Sequence, residues 1–360
     1  MFSWCMVLLI AISVVPSSKC TIAISTHQLL IQLHKSQTFN VSVTNFSLSN
    51  VVVKFHNQYD DLVRADPQHI FLDPGDQTFV INLTALGAGH SLLTAQASQD
   101  VNVDEIYLTA TIYKVKAVDV VSVIFGWTYF AAWSLSFYPQ IITNYRRKSV
   151  IGLDFDYLAL NLVGYVSYTI FTLSLYYIPS IIEEYNNRYP RGSIPVTTND
   201  NAFNIHGLIA VIFTIFQCCI YERGNQKISL IASIILGAIG GLYGIMILLV
   251  LFDVMHWLDF LYFCSYIKLL ITLSKYIPQA VLNYRRKSTK GWSIGGVFLD
   301  LAGGVFSILQ MILDAYNYND WVAIFGNVSK FALGLLSVLF QFIFVAQHYI
   351  LYKPKRKDVY

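Results

Sequence analysis

Five polar residues inside one apolar run are where this chain could do chemistry. Lys268, Thr272, Lys275, Gln279 and Asn283 recur at intervals of four, three, four and four, which places them on one face of a helix. The next apolar run carries Asp300 among the small residues Gly303, Gly304 and Ser307, and the last carries Lys330, Ser337, Gln341 and His348 at helical spacing. An ionisable group held at mid-depth in a bilayer costs roughly 2.5 to 3.5 kcal/mol on insertion scales. Two lysines and an aspartate must therefore face a shared interior, where they pair with one another or with a solute. A fixed Lys275–Asp300 ion pair is the purely structural alternative. The set offers cations for carboxylates and a carboxylate for ammonium groups. No nucleophile and base pair and no metal-ligand spacing accompanies it, so binding and transport are expected, without an enzyme's chemistry, a metal or a cofactor.

The elements that must position these residues are membrane spans. Hydrophobic residues make up 55% of the chain and charged residues 12%, about half the charge of an ordinary soluble domain. A soluble globular architecture is excluded. The net charge of +3 sits in short clusters, which marks topology rather than a nucleic-acid surface. Seven apolar stretches follow Lys116, near 118–142, 155–178, 204–222, 228–252, 257–283, 294–313 and 330–352, each long enough, or nearly so, to span hydrocarbon. Connections after the odd-numbered stretches carry Arg146-Arg147-Lys148, Arg223 with Lys227, Arg285-Arg286-Lys287 with Lys290, and Lys353, Lys355, Arg356 and Lys357. Those ends are cytosolic by the positive-inside rule. The other connections carry Glu183, Glu184, Asp200, Asp253, Asp259 and Asp320 and share the lumenal side with the N-terminus.

Residues 1–20 hold an apolar core, Met6 to Val15, followed by Pro16, Ser17 and Ser18, and read as a cleaved signal peptide. Over 21–117 the pattern alternates with period two: Phe39, Val41, Val43; Val51, Val53; Phe79, Ile81, Leu83; Ile106, Leu108, Ala110, Ile112. With Asp73-Pro74-Gly75-Asp76 as a turn, this predicts a small lumenal β-sandwich-like domain. Asn40, Asn45 and Asn82 each open a glycosylation sequon, consistent with that side. No cysteine lies between Thr21 and Lys116, so the domain must rest on its core, while Cys218, Cys219 and Cys264 read as small buried hydrophobes.

One segment occurs twice. Pro139-Gln140-Ile141-Ile142-Thr143-Asn144-Tyr145-Arg146-Arg147-Lys148-Ser149 returns 139 positions later as Pro278-Gln279-Ala280-Val281-Leu282-Asn283-Tyr284-Arg285-Arg286-Lys287-Ser288, and the register continues through Gly152/Gly291, Leu160/Leu299 and Gly164/Gly303. The first repeat then covers 118–178 (spans one and two), the second covers 257–313 (spans five and six), spans three and four fill 204–252, span seven is 330–352, and 353–360 is a cytosolic tail. Repeats in the same orientation imply two parallel three-helix bundles with span four as the inverting linker helix. The expected fold is thus a polytopic α-helical membrane protein with seven transmembrane helices behind a β-domain. Each proline lacks an N–H and clashes with the carbonyl four residues back, so Pro139 with Gln140 and Pro278 with Gln279 are expected hinges or gates. The stripe of span five has a counterpart in Tyr129, Trp133, Ser136, Gln140 and Asn144, and Asp300 has one in Asn161. The ionisable residues belong to the second copy alone.

The twin segments resemble the PQ-loop transporters. The likeness is densest over Trp127 to Gly164 and Phe263 to Gln310 and extends to Gln217-Cys218-Cys219, Tyr221-Glu222-Arg223-Gly224 and Leu309-Gln310-Met311. The member it resembles across all seven spans implies a proton-coupled symporter that exports L-cystine from the acidic lysosomal lumen to the cytosol by alternating access, in the lysosomal membrane. By the same resemblance Asp300, and Asp200 in Thr198-Asn199-Asp200 before span three, would couple protons. Asn161, Lys268, Lys275, Tyr276, Asn283 and Lys330 would surround the substrate. Expected partners are L-cystine, protons, the lipid bilayer and, as candidates, cytosolic nutrient-sensing complexes, with no nucleic acid. Gly296 stands where the pattern has an asparagine, Gln341 replaces an aspartate, and the tail ends Lys357-Asp358-Val359-Tyr360 where a Gly-Tyr-Asp-Gln-Leu sorting signal is expected. The substrate class fits the residues: cystine carries two carboxylates and two ammonium groups, whereas a neutral sugar would not ask for two lysines. Export of another amino acid and a non-transporting seven-span receptor or scaffold are the alternatives. A G-protein-coupled receptor fits poorly, because it would show no parallel repeat and the chain lacks the Asp-Arg-Tyr and Asn-Pro-x-x-Tyr sequences.

Overall fold

The computed structural model describes residues 21–352 except 100, 152, 190–191 and 290–293. The expected signal peptide, the tail and the side chains of Lys275, Pro278, Leu282 and Arg286 lie outside the described residues. The described chain separates into a strand unit and a helical unit.

The strand unit contains Thr21–Ile24 (β1), Gln28–Gln32 (β2), Ser36–Phe46 (β3), Val51–Asn57 (β4), Val63–Asp66 (β5), His69–Leu72 (β6), Gly75–Ala85 (β7), Gly89–Ala97 (β8) and Tyr107–Tyr113 (β9). They form two sheets, β1-β3-β7-β5 and β2-β9-β8-β4-β6. Alternation dictates which side chains are buried: Phe39, Val41 and Val43 on β3, Ile81 and Leu83 on β7, and Leu108, Ala110 and Ile112 on β9 all point into one core. Each large aliphatic buried there contributes about 1.5 to 3 kcal/mol, which takes the place of disulfides. Gly75 opens β7 at φ +114°, a conformation closed to other residues, and so completes the expected turn. Asn40 and Asn45 are exposed on β3 and Asn82 is half-buried on β7. Asn45 adopts φ +55° beside the irregularity between Val43 and Phe46, and its N–H reaches the Asp76 carboxylate at 2.8 Å.

The helical unit contains Lys116–Leu135 (α1), Tyr138–Arg147 (α2), Phe155–Tyr177 (α3), Pro179–Arg188 (α4), Thr198–Ile220 (α5), Leu230–Leu251 (α6), Trp257–Arg286 (α7), Ile294–Asn317 (α8), Val322–Gly326 (α9) and Val328–Ala346 (α10), with a π turn at Gln347–Leu351. Among the described residues seven helices are long and apolar enough to cross a membrane, α1 with α2 and α10 with the π turn each counting as one. In the first bundle α5 packs against both α1 and α3; in the second α10 packs against both α7 and α8. The bundles meet where α1 lies on α8 and α3 on α7. α6 makes only slight contact, with α3 and α7, and its side chains are apolar around the whole helix, as expected of a linker surrounded by lipid. Cys218 and Cys264 are buried, but Cys219 is exposed.

Three features depart from the expected pattern. Span three begins at Thr198, not near 204, because Thr197 caps it: the Asp200 carboxylate accepts both the Thr197 N–H and its hydroxyl at 2.8 Å. A capping box thus carries a polar run into the helix, and Asp200 lies in its first turn rather than ahead of it. The short helices α4 and α9 occupy stretches left as connections. The first copy is broken at Ser136 and Phe137, where the backbone tightens to i–3 bonds, Ser136 N–H to Trp133 at 3.2 Å and Phe137 N–H to Ser134 at 3.3 Å, while α7 continues past Pro278. Pro139 then falls in the first turn of α2, where its missing donor is not needed.

Candidate functional site, a cavity between the two repeats

An open cavity, about 630 Å³ with the solvent space of its mouth included, lies between the bundles. Equivalent positions of the two copies line it in pairs: Trp133 with Thr272, Phe137 with Tyr276, and Asn161 with Asp300. Close approach around the cavity depends on the twin glycines. A Cβ at Gly303 would come within 2.5 Å of the Trp133 indole, and one at Gly164 within 3.2 Å of the Lys268 stem.

Lys268 enters this cavity with its residue 7% exposed and its ammonium 3.4 Å from the centre of the Tyr165 ring, a cation–π contact. Asp300 is held by several donors. Its Oδ2 accepts the Tyr276 hydroxyl at 2.7 Å and the Gln341 amide at 2.8 Å, and its backbone carbonyl accepts Ser337 Oγ at 2.9 Å and Trp133 Nε1 at 3.3 Å. Among the described residues Oδ1 has no donor. The cavity therefore presents a cation, a carboxylate oxygen, the Asn161 amide and an aromatic wall of Trp133, Tyr165 and Phe203.

Of the residues singled out in the sequence, Asn161, Lys268, Tyr276 and Asp300 come together here; Asp200, Asn283 and Lys330 do not line the cavity. Lys330 donates to Asp200 at 2.8 Å on one oxygen and 3.0 Å on the other, with both side chains 6% exposed. The Tyr129 hydroxyl also donates to Asp200, and Lys330 reaches Gln310 Oε1 at 3.0 Å. This knot joins α1, α5, α8 and α10. Removing one partner of such a buried pair costs about 3 to 5 kcal/mol, because the other charge is stranded.

Asn283 lies toward the basic end, in one of two matching clamps. Gln140 donates to Asn144 Oδ1 at 2.8 Å, Asn144 to Gln217 Oε1 at 2.9 Å, and Gln217 to the carbonyl of Ile141 at 3.1 Å. In the second copy Gln279 donates to Asn283 at 3.0 Å, Asn283 to Gln347 at 2.9 Å, and Gln347 to the carbonyl of Ala280 at 3.0 Å. Both prolines' glutamines thus turn along their own helix rather than into the cavity. Just beyond, Lys148 at φ +51° and Lys287 at φ +49° end the helices in the left-handed conformation, each ammonium over the Tyr145 or Tyr284 ring at 3.7 and 3.5 Å. The clamp partners Gln217 and Gln347 were not identifiable as a pair, since they lie 130 rather than 139 positions apart.

These features match known proteins. The family described as PQ loop repeat matches residues 121–181 and 260–320. Cystinosin of Drosophila melanogaster is 44% identical over 98% of this chain and 90% of its own length, and cystinosin of Bos taurus is 41% identical over 80% of this chain and 78% of its own. The chain belongs to the cystinosin family. A Saccharomyces cerevisiae protein named cystine transporter is 30% identical over 66% of this chain and 95% of its own length. This member of the cystinosin family is accordingly a multi-pass membrane transporter and not an enzyme, with its cavity placed between the two matched repeats.

Proposed function

We propose that this cystinosin-family transporter exports L-cystine, together with protons, from an acidic lysosomal lumen to the cytosol. The observation that carries the reading is the joining of Lys268, Asn161, Tyr276 and Asp300 in one cavity between the repeats. A diamino dicarboxylate needs a cation for its carboxylates and a carboxylate oxygen for its ammonium groups, and Asp300 Oδ1, without a donor among the described residues, can receive the latter. The aromatic wall suits a disulfide, whose sulfurs pack well against ring edges. The names of the relatives agree with this substrate.

The basic ends are assigned to the cytosol and the strand unit to the lumen, with the signal peptide removed and Asn40, Asn45 and Asn82 glycosylated. On this assignment the Asp200–Lys330 knot seals the lumenal end of the bundles. A proton delivered to Asp200 removes the charge that holds Lys330 and lets that end part. A proton on Asp300 neutralises the carboxylate beside the substrate, so that the cavity can close and reopen toward the cytosol. The bundles rock about Pro139 and Pro278. Lys275 belongs with this site by its place on the stripe of α7.

The test is cystine-dependent current in protein directed to the plasma membrane, with the acidic medium standing for the lumen and cystathionine, lysine and glucose as competitors. Asp300→Asn should bind cystine but lose proton-coupled current. Wild-type coupling in that variant would remove Asp300 from the mechanism, and absence of any cystine flux in the wild type would favour a receptor or scaffold.

A further inference from the structure

The contact between α1 and α8 contains a file of polar groups that leads to the Asp200–Lys330 knot and whose outer members the site above does not use. At its outer end, the Tyr318 hydroxyl donates to Asp119 Oδ1 at 2.6 Å. One turn inward, the Ser122 hydroxyl donates to Asp314 Oδ1. A further turn inward, Gln310 and Asn199 exchange bonds at 3.3 and 3.5 Å beside Gly126. Tyr129, Asp200 and Lys330 follow. Residues 119, 122, 126 and 129 of α1 step by three and four, and 310 and 314 of α8 step by four toward Tyr318 just past its end, which keeps each set on one helical face. The file covers about 15 Å at 1.5 Å per residue.

Asp314 differs from Asp200 and Asp300, the two carboxylates invoked above. Asp200 is fully engaged, with a lysine, two hydroxyls and a backbone N–H. Asp300 has two side-chain donors. Asp314 has one, Ser122, itself 2% exposed, and among the described residues no cation touches it. The charges and titratable groups that face it are Asp119 on α1, Asp200 on α5, Lys330 on α10 and Tyr318 just beyond its own helix. A carboxylate with one neutral donor and, among the described residues, no partner on Oδ2, set between two apolar helices, is open to an arriving proton, whereas one bound to a lysine takes a proton only by giving that lysine up.

We propose that Asp314 is a proton-binding residue on the lumenal side, which takes a proton onto Oδ2 ahead of Asp200 and thereby sets the lumenal acidity at which transport begins. The inference rests on the proton-coupled reading above. Asp119 and Tyr318 form the mouth of the file, Ser122 fixes the rotamer of Asp314, and the proton ends on Asp200, where it releases Lys330.

The experiment measures cystine-evoked current against lumenal-side pH at saturating cystine, with KM taken at each pH. Asp314→Asn keeps the Ser122 contact and removes the proton site, so half-activation should move by about one pH unit to the acidic side, with KM unchanged. Asp314→Glu should restore the wild-type profile. Ser122→Ala removes the donor and should move half-activation the other way, toward neutral pH. An Asp314→Asn profile that overlays the wild type would overturn the proposal while leaving proton coupling intact. If the Asn variant does not reach the membrane, an unshifted Ser122→Ala profile overturns it equally. A wild type whose current ignores pH would instead overturn the coupled reading itself, and this proposal with it.

Discussion

The two copies of the repeat agree at their basic ends and disagree at their centre. The clamp of Gln140, Asn144 and Gln217 is reproduced by Gln279, Asn283 and Gln347, bond for bond and to within about 0.2 Å. Both end in a left-handed lysine stacked on a tyrosine. At the centre, Lys268 and Asp300 stand where the first copy has Tyr129 and Asn161. Shared chemistry is thus spent on fixing each helix end to the third helix of its bundle, and divergent chemistry on the cavity. The contrast separates what ties each bundle together from what the cavity holds.

Lys268→Met tests the divergent part most severely. The variant keeps the apolar stem against Tyr165 and Gly164 and removes the one described cation of the cavity. Transport should fall on the order of 100-fold, the equivalent of about 2.7 kcal/mol lost from substrate binding, with no loss of folded protein. Initial rates of labelled cystine flux, normalised to surface protein, measure it. A fall below threefold would mean that the cation over Tyr165 is structural.

The clamps offer a test of the shared part. Asn144→Ala and Asn283→Ala each take away the donor to a buried glutamine carbonyl oxygen and the acceptor of a second glutamine. Leaving such groups unmet costs about 1 to 3 kcal/mol. Because the two clamps make the same bonds, the two variants should lower thermal stability in detergent by the same amount and leave KM for cystine unchanged. If Asn283→Ala alone raises KM, that asparagine touches substrate in another conformation and the symmetry of the clamps is broken in the cycle.

The sequence made the duplicated frame legible because its signals are local: an apolar run of fixed length, a proline, a basic cluster. Helical spacing picked out Lys268, and the repeat offset paired Asn161 with Asp300, whereas Tyr276 entered only through the family resemblance. Lys330 was harder. Its spacing with Ser337 and Gln341 suggested the cavity, but Asp200, brought within 2.8 Å by a capping box on another helix, claims it. The polar run that Asp200 belongs to reads as a loop until the cap is seen. Asp314 and Ser122 carried no signal, because a lone aspartate at a span's end and a serine in an apolar run are ordinary until two helices are laid side by side.

Asn161→Asp makes the centre of the first copy resemble that of the second. Asn161 is 7% exposed and lines the cavity opposite its counterpart Asp300, so the substitution brings two carboxylates to one low-dielectric space. Their repulsion favours a proton on one of them. Transport should therefore persist at a more neutral lumenal pH than in the wild type. On the proposed binding mode the added charge also repels the substrate carboxylates, so KM for cystine should rise about tenfold, or roughly 1.4 kcal/mol. The two effects move apart with pH: at acidic pH the extra carboxylate is neutral and KM returns toward the wild-type value, while near neutrality it is charged and KM is highest. A KM that is raised equally at every pH would indicate that Asn161 acts through its amide alone, and the difference between the copies would then lie in Lys268 and Asp300 without any contribution from the neutrality of their partner.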